Sequence, residues 1–429
     1  MWIKMNKVIE FFDKNHLPLA GKRLVIATSG GPDSVALVDM LYKLKHEYDF
    51  EIIVAHFDHK LRKDSGEETN LLKKYCLKRD LPFENGIWMR EENLTSGVEA
   101  AAREARYDFL VKTVHKFQAD YLLTAHHGDD LLENILLKFI RSGNPNEMNS
   151  LKAIGEREGI PLLRPLLSFS KQELLEYDRI HGLDFIEDET NNEDETMRNR
   201  LRHHVVPLLK EENPNLVHNA LRFSENLDIL VDLSDQKIEQ VGMPEQILGK
   251  FYRIRLEKLN NLSKSEQAYF WQSFIWKKWH RRVGNEFKQF TLMNYQSYWY
   301  LWRNKDVDNL SGEKIKDIKL DIPFDFYGQK IILSKNPDLN NEKLGDFWSS
   351  EKEFKAGTLP AGSKLLLKNG HHAKAKKMFA EAGIPLPLRK YCLSIFTQEE
   401  QPIFIEKTYE NQTWDKNKIH YYLYRLKFM

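Results

Sequence analysis

Two short stretches of this chain carry side chains in patterns that suit chemistry. The first is Ser29-Gly30-Gly31-Pro32-Asp33-Ser34, placed between an apolar run at Leu24–Ala27 and a resumed helical pattern. Adjacent glycines permit positive φ and let successive backbone N–H groups face an anion. Pro32 suits a first helical turn, where its missing N–H would be unpaired anyway. Ser34 opens the same helix, at an end that carries partial positive charge. The loop lacks the lysine of the common Gly-Lys-[Ser/Thr] phosphate loop and has Asp33 instead. An aspartate is a poor neighbour for bare phosphate but a good Mg2+ ligand, and the metal then offsets the charge of a departing pyrophosphate. The second stretch is His126-His127-Gly128-Asp129-Asp130-x-x-Glu133. Asp130 and Glu133 project to one side of a helix. One helix cap needs one acid, so the surplus carboxylates suit binding of an ammonium group and removal of its proton, with Asp130 the expected base.

Three further clusters read both ways. Asp58, His59 and Arg62 fall at the carboxyl end of a second apolar run, where they are expected to share the nucleotide site; a zinc role for His56 and His59 lacks completing ligands. Arg103 and Arg106 share a helix face and can hold a leaving group or RNA phosphates, or form a solvated set with Glu99 and Glu104. The segment Glu187–Pro207 passes from acids and asparagines to Arg198, Arg200, Arg202, His203 and His204. It reads either as a solvated amphipathic helix or as one that contacts RNA or a carboxylate.

The elements that must position these residues alternate. Apolar runs predict strands at Leu24–Ser29, Glu51–Asp58, Pro82–Trp88, Tyr121–Ala125 and Ile160–Leu163. Helical spacing predicts helices at Val35–His46, Gly66–Arg79, Val98–Phe117 and Asp129–Arg141. This is the pattern of an α/β, doubly wound parallel sheet, whose ligands lie beyond the carboxyl ends of the strands. A boundary is expected near Leu208–Leu216, dividing a catalytic region, 1–212, from a helical region, 213–309, and a small β-rich region, 310–429, with a helix at His372–Ala382.

Composition narrows the classes. With 64 basic and 63 acidic side chains the net charge is +1, so any nucleic-acid contact must come from local patches. Between Lys364 and Lys377 lie five lysines and two histidines, followed by Arg389 and Lys390. Trp271, Trp276 and Trp279 are interleaved with Lys277, Lys278, Arg281 and Arg282. These clusters are expected to hold RNA through its phosphates, against the ordinary reading of core tryptophans and a solvated face. The only cysteines are Cys76 and Cys392, which argues against a disulfide framework, a structural zinc or an iron–sulfur cluster. No stretch approaches the roughly 18 apolar residues of a membrane span, and the N-terminus has no signal-peptide pattern. A cytoplasmic protein is expected.

Ser29–Ser34 resembles the Ser-Gly-Gly-x-Asp-Ser loop of the PP-loop ATP pyrophosphatases. Four elements and the C-terminal stretch His371–Phe396 resemble the tRNA(Ile)-lysidine synthetase family over nearly the whole chain. The elements are Asp58-His59-x-Leu-Arg62, Glu99-Ala-Ala-Ala-Arg103-x-x-Arg106-Tyr, His126-His127-Gly-Asp-Asp130-x-x-Glu133 and Arg198-Asn-x-x-Arg202. The resemblance implies ATP with Mg2+ at Ser29, Gly30, Gly31, Pro32, Asp33 and Ser34, with Asp33 on the metal and Asp58, His59, Arg62 and His126 around the nucleotide. It implies Asp130 and Glu133 on the amino groups of L-lysine, Arg198 on its carboxylate, and Asp33, Asp130, Arg103 and Arg106 in catalysis. It places Arg202, Lys374, Lys376, Lys377 and Arg389 against tRNA(Ile) with a CAU anticodon. ATP would adenylate the cytosine O2 and lysine would then displace AMP; a homodimer stays open. One departure stands out: Leu131, Leu132 and Asn134 occupy positions where the family usually carries Gln-x-Glu-Thr around the glutamate. Two alternatives remain, a PP-loop tRNA thiolase, a class that generally uses several cysteines, and a non-catalytic nucleotide- or RNA-binding module.

Overall fold

Leu24, Val25 and Ile26 are all fully buried, so the first strand must be covered on both faces, as in a sheet with helices on each side. The computed structural model describes residues 2–60, 66–89, 97–186, 194–284, 286–307, 312–338, 340–367, 370–410 and 415–427; Arg62 lies outside them. The chain groups into two compact units, Met1–Ser234 and Asp235–Met429, where the sequence suggested three regions.

In the first unit the order is α1 (Trp2–Lys14), β1 (Lys22–Thr28), α2 (Pro32–Leu44), β2 (Phe50–Asp58), α3 (Gly66–Leu77), β3 (Phe83–Ile87), α4 (Val98–Phe117), β4 (Tyr121–Thr124) and α5 (Gly128–Arg141). After these come α6 (Pro145–Met148), β5 (Ile154–Arg157), β6 (Ile160–Leu163), α7 (Lys171–His181), α8 (Met197–Arg200), α9 (Val206–Glu212) and α10 (Leu216–Val241). The sheet order is β3-β2-β1-β4-β6-β5. All neighbours are parallel except the β5–β6 pair. Side chains alternate across the sheet: Leu24, Ile26, Ile52 and Val54 join Leu37, Met40 and Leu174 on one side, while Val25, Ile53 and Ala55 join Tyr107 and Leu110 on the other. All five expected strands are present. The antiparallel β5 was not anticipated, because its four residues are half exposed and carry no apolar run. Strand order reverses between β1 and β4, which puts the loops after both strands beside the crevice that doubly wound sheets use for ligands.

In the second unit the stretch expected to be helical contains an antiparallel sheet of Glu245–Ile247, Phe251–Arg255, Tyr298–Arg303 and Phe290–Tyr295. The aromatic run Tyr-Trp-Tyr-Leu-Trp at 298–302 favours a pleated surface, while Leu216–Val241 and Lys264–Trp279 form the long helices of the stretch 213–309 among the described residues. The rest is β-rich, as expected: a five-stranded and a four-stranded antiparallel sheet enclose Phe326, Phe347, Phe354, Phe404 and Tyr421. Phe251, Tyr300 and Trp302 pack in one cluster with Leu365, Phe379 and Leu388, so the two regions divided near 309 share a core. The helix expected over His372–Ala382 runs from Ala375 to Glu381, because His372–Lys374 pairs with Lys364–Leu366 instead. Among the described residues no helix is long and apolar enough to cross a membrane.

Candidate active site

The loop between β1 and α2 is held by its own side chains. Gly30 has φ of +87°, a conformation that favours glycine, and a Cβ there would press on Cβ of Glu68 at 3.2 Å. Pro32 occupies the first turn of α2 behind the extended Gly31. The Ser34 hydroxyl accepts from the Gly30 N–H at 3.2 Å and donates to the Gly31 carbonyl at 2.9 Å. Ser29 accepts from the Gly31 N–H at 3.3 Å, and the Ile186 N–H donates to the Gly30 carbonyl at 3.0 Å. The two glycine N–H groups therefore face serine oxygens across long, readily exchanged bonds rather than open solvent.

This loop borders a cavity of about 1070 Å3 lined also by Asp58, His59, Arg106, His126, Asp130, Glu133 and Arg202. That volume admits a nucleotide together with a second substrate. Asp58 is 4% exposed and accepts from the Lys60 N–H at 2.8 Å. His56 is buried with Nδ1 on the Thr28 carbonyl at 2.9 Å; among the described residues no group of three His, Cys, Asp or Glu could hold a metal ion. His126 contacts the Thr124 hydroxyl at 2.9 Å. Burial pushes its imidazole down to about 3, with Arg164, Arg106 and Arg198 reinforcing and Asp130 opposing the shift, so the ring is neutral at physiological pH. Burial also lowers the His59 pKa, and Arg106 adds to it.

The turn into α5 needs Gly128, since a Cβ there would meet Val217 at 2.2 Å and the Leu167 carbonyl at 2.9 Å. The acids that follow divide their labour. Asp129, 6% exposed, accepts from the Lys171 backbone N–H at 2.8 Å and holds the Lys210 ammonium, tying α5, α7 and α9 together. Asp130 accepts from the His127 N–H at 3.1 Å, so the capping reading is partly right. Burial alone would raise its pKa, but its interactions with His127, His126 and Arg198 and the His127 backbone N–H outweigh it and hold the carboxyl at about 2. An acid that strong is ionised at physiological pH and suited to anchoring a cation.

Glu133 is 1% exposed and meets two arginines. Arg202 makes a two-point contact with it at 2.7 and 2.9 Å, and Arg198 donates at 3.0 Å. Both guanidiniums also lie 3.4–3.6 Å from an Asp130 oxygen. Arg202, expected on RNA, thus faces the carboxylate pair. The widened π turn at Leu201–Val205 comes just before Pro207: with no N–H there, the Val206 N–H reaches back five residues to Leu201. Arg200 donates to the Asp194 and Glu195 carbonyls, and His203 and His204 meet the Asp194 carboxylate. Much of the charge switch along this segment is therefore settled internally. The departures at 131, 132 and 134 are packing choices. Leu131 and Leu132 are buried, while Asn134 donates to the Met148 carbonyl and Ser150 hydroxyl.

Arg106 lines the cavity, whereas Arg103 is exposed beside Tyr107, whose ring both guanidiniums flank at 5.0–5.3 Å. Glu104, offered as their partner, instead pairs with Arg157. In the second unit Lys374, Lys376 and Lys377 are exposed. Arg389 is not available in the same way: it donates to the Ile384 carbonyl and Tyr295 hydroxyl and covers the Phe379 ring. Trp271 is 1% exposed and Trp279 packs against its core cluster, leaving Trp276 at 44%. Sequence reasoning missed Lys171, whose ammonium lies 2.8 Å from both oxygens of Asp33. The only local signal was the Ser170–Glu173 capping box that opens α7.

Residues 3–209 match the family model described as a PP-loop domain. The tRNA(Ile)-lysidine synthase of Lactobacillus gasseri is 45% identical over 98% of this chain and 99% of its own length. The enzyme of the same name from Lactobacillus johnsonii is 44% identical with the same coverage. That of Enterococcus faecalis is 35% identical over 59% of this chain and 55% of its own. The likeness thus runs the full length of both named enzymes, and the chain belongs to the tRNA(Ile)-lysidine synthase family.

Proposed function

We propose that the protein joins free L-lysine to C2 of the wobble cytidine of tRNA(Ile) bearing a CAU anticodon, consuming ATP. The observation that carries this reading is that the glycine–serine loop Ser29–Ser34 and a carboxylate pair, Asp130 and Glu133, line one cavity. In the first step the cytosine O2 bonds to the α-phosphorus, the bond to the bridging oxygen breaks, and pyrophosphate leaves. In the second the lysine ε-amine bonds to C2, the C2–O2 bond breaks, AMP departs with that oxygen, and the nitrogen sheds a proton. Asp33 fits Mg2+ as a single carboxylate beside the loop, because this ion is commonly held by one or two carboxylates plus substrate phosphates. Mg2+ would there offset charge on the polyphosphate.

The chain's own groups do the positioning. Asp130, strongly acidic, and Glu133 hold the amino groups of lysine, while Arg198, and Arg202 with it, supply cations for its carboxylate. Neutral His126 borders the nucleotide without adding charge, and Arg106 stands where phosphate charge develops. Lys374, Lys376 and Lys377 grip the tRNA body through phosphates. The setting is the cytoplasm, where tRNA is found. The test is to incubate the protein with ATP, radiolabelled lysine and unmodified tRNA. Label in the tRNA with AMP and pyrophosphate released is the expected result; ADP and phosphate in their place overturn the mechanism.

A further inference from the structure

Among the described residues three lysines reach carboxylates that line the cavity, Lys60 on Asp58, Lys210 on Asp129 and Lys171 on Asp33, and the last two differ in kind. Lys210 holds Asp129, which also takes the Lys171 backbone N–H, so that acid is fully engaged in tying helices together. Lys171 is fixed at its backbone by the same acid, yet its side chain lines the cavity and is 37% exposed. Its ammonium lies evenly on both Asp33 oxygens at 2.8 Å. Around Asp33 the His127 ring lies 3.7 Å away, and the Arg202 guanidinium acts on it through space. A second carboxyl, Asp178, is wholly buried with neither oxygen hydrogen-bonded. A polyphosphate brought to this loop therefore meets acid, and the loop itself contributes no side-chain cation.

We propose that Lys171 supplies the phosphate-binding cation that the Ser29–Ser34 loop lacks: its ammonium rests on Asp33 in this structure and transfers to the β- and γ-phosphate oxygens of a bound nucleotide, leaving Asp33 for the metal. A lysine stem is long and flexible, and its ammonium is a compact point charge suited to phosphate oxygens. Pinning the backbone through Asp129 keeps the pivot fixed while the head group changes partner. Lys171 makes no covalent bond in this role. It stabilises pyrophosphate as the bond to the α-phosphorus breaks. The inference rests on the reading of the cavity as an ATP site.

The test uses the whole chain and calorimetric binding of two probes, α,β-methylene-ATP and AMP, with and without Mg2+. Lys171→Met should weaken the ATP analogue by about ten- to hundredfold and leave AMP within about twofold. Lys171→Arg should restore most of the difference, and thermal melting of both variants controls for folding. The decisive arm is an Asp33→Asn background without Mg2+, where Lys171→Met should still cost the analogue a similar factor. If that loss vanishes once Asp33 is neutral, or if AMP weakens as much as the analogue, Lys171 serves Asp33 alone and the inference falls. If the unsubstituted protein binds neither probe, the ATP reading itself falls, which is a different result.

Discussion

The loop Ser29–Ser34 and the cluster Asp130–Glu133–Arg198–Arg202 border the same cavity and are stabilised in opposite ways. The loop is closed by short-range bonds among its own serines and glycines, and a positive φ at Gly30 fixes its path. The cluster is closed by charges from residues about 65 positions apart in sequence, set on two different helices. A local hydrogen-bonded loop is preorganised whether or not ligand arrives. An ion cluster is balanced by partners that a zwitterionic substrate such as lysine can replace group for group, ammonium on carboxylate and carboxylate on guanidinium. The first region is built to hold a shape, the second to exchange counter-ions.

The largest effect that can break this comparison is at Glu133. Glu133→Ala leaves two arginines, 33–41% exposed, facing one remaining carboxylate, and should cost about 2–3 kcal/mol of stability, read by denaturant or thermal unfolding, together with lysine incorporation. A loss no larger than that of an exposed ion pair would remove the cluster from the core of the account. Next comes the loop. Gly30→Ala forces a Cβ into a positive-φ site and against Glu68, for which about 1–3 kcal/mol is expected. It should lower ATP affinity before it alters lysine affinity, and calorimetry with each ligand decides.

Asp178 gives a pH-dependent test of the acid beneath the loop. Burial, with the Asp33 charge second, pushes its carboxyl up from 3.8 to about 7, against Lys171. A raised folded pKa means that the folded state binds the proton more tightly, so its contribution is fully present below about 3.8 and is lost as pH rises to about 7. Asp178→Asn should therefore stabilise the protein at pH 8, change little at pH 4, and flatten the stability profile between them. Equal effects at both pH values would contradict the assignment. The smallest effect is expected far from the chemistry. Changing Lys374, Lys376 and Lys377 together to Ala should weaken tRNA binding and reduce its salt slope by about one unit for each phosphate left without its lysine. ATP affinity should not move, and unchanged tRNA affinity would return these residues to an ordinary solvated face.

What the sequence made legible follows the same division. The five parallel strands were readable because their apolar runs are continuous, and the loop because glycines, proline and serine act on their immediate neighbours. Asp130 and Glu133 were found by helical spacing, and Arg198 by resemblance. That Arg202 faces the carboxylate pair was not readable, since its partner Glu133 lies 69 positions away in sequence. Lys171 was invisible for the same reason: nothing near it in sequence refers to Asp33, 138 positions away. The strands at Glu245–Ile247 and Phe251–Arg255 were missed because they are short and flank long helical patterns.

The central claim is that the loop handles ATP and the ion cluster handles lysine, so the two steps should separate. Asp130→Asn keeps an oxygen able to accept the His127 N–H, removes the charge, and is checked for folding by thermal melting. Measure tRNA-dependent, lysine-independent release of pyrophosphate in this variant beside incorporation of labelled lysine. Pyrophosphate release should stay within about twofold of the unsubstituted protein, and lysine incorporation should fall by about 30-fold or more, as befits loss of one member of a buried charge pair. Equal loss of both activities, with folding intact, would show that Asp130 serves the nucleotide and would contradict the division of labour.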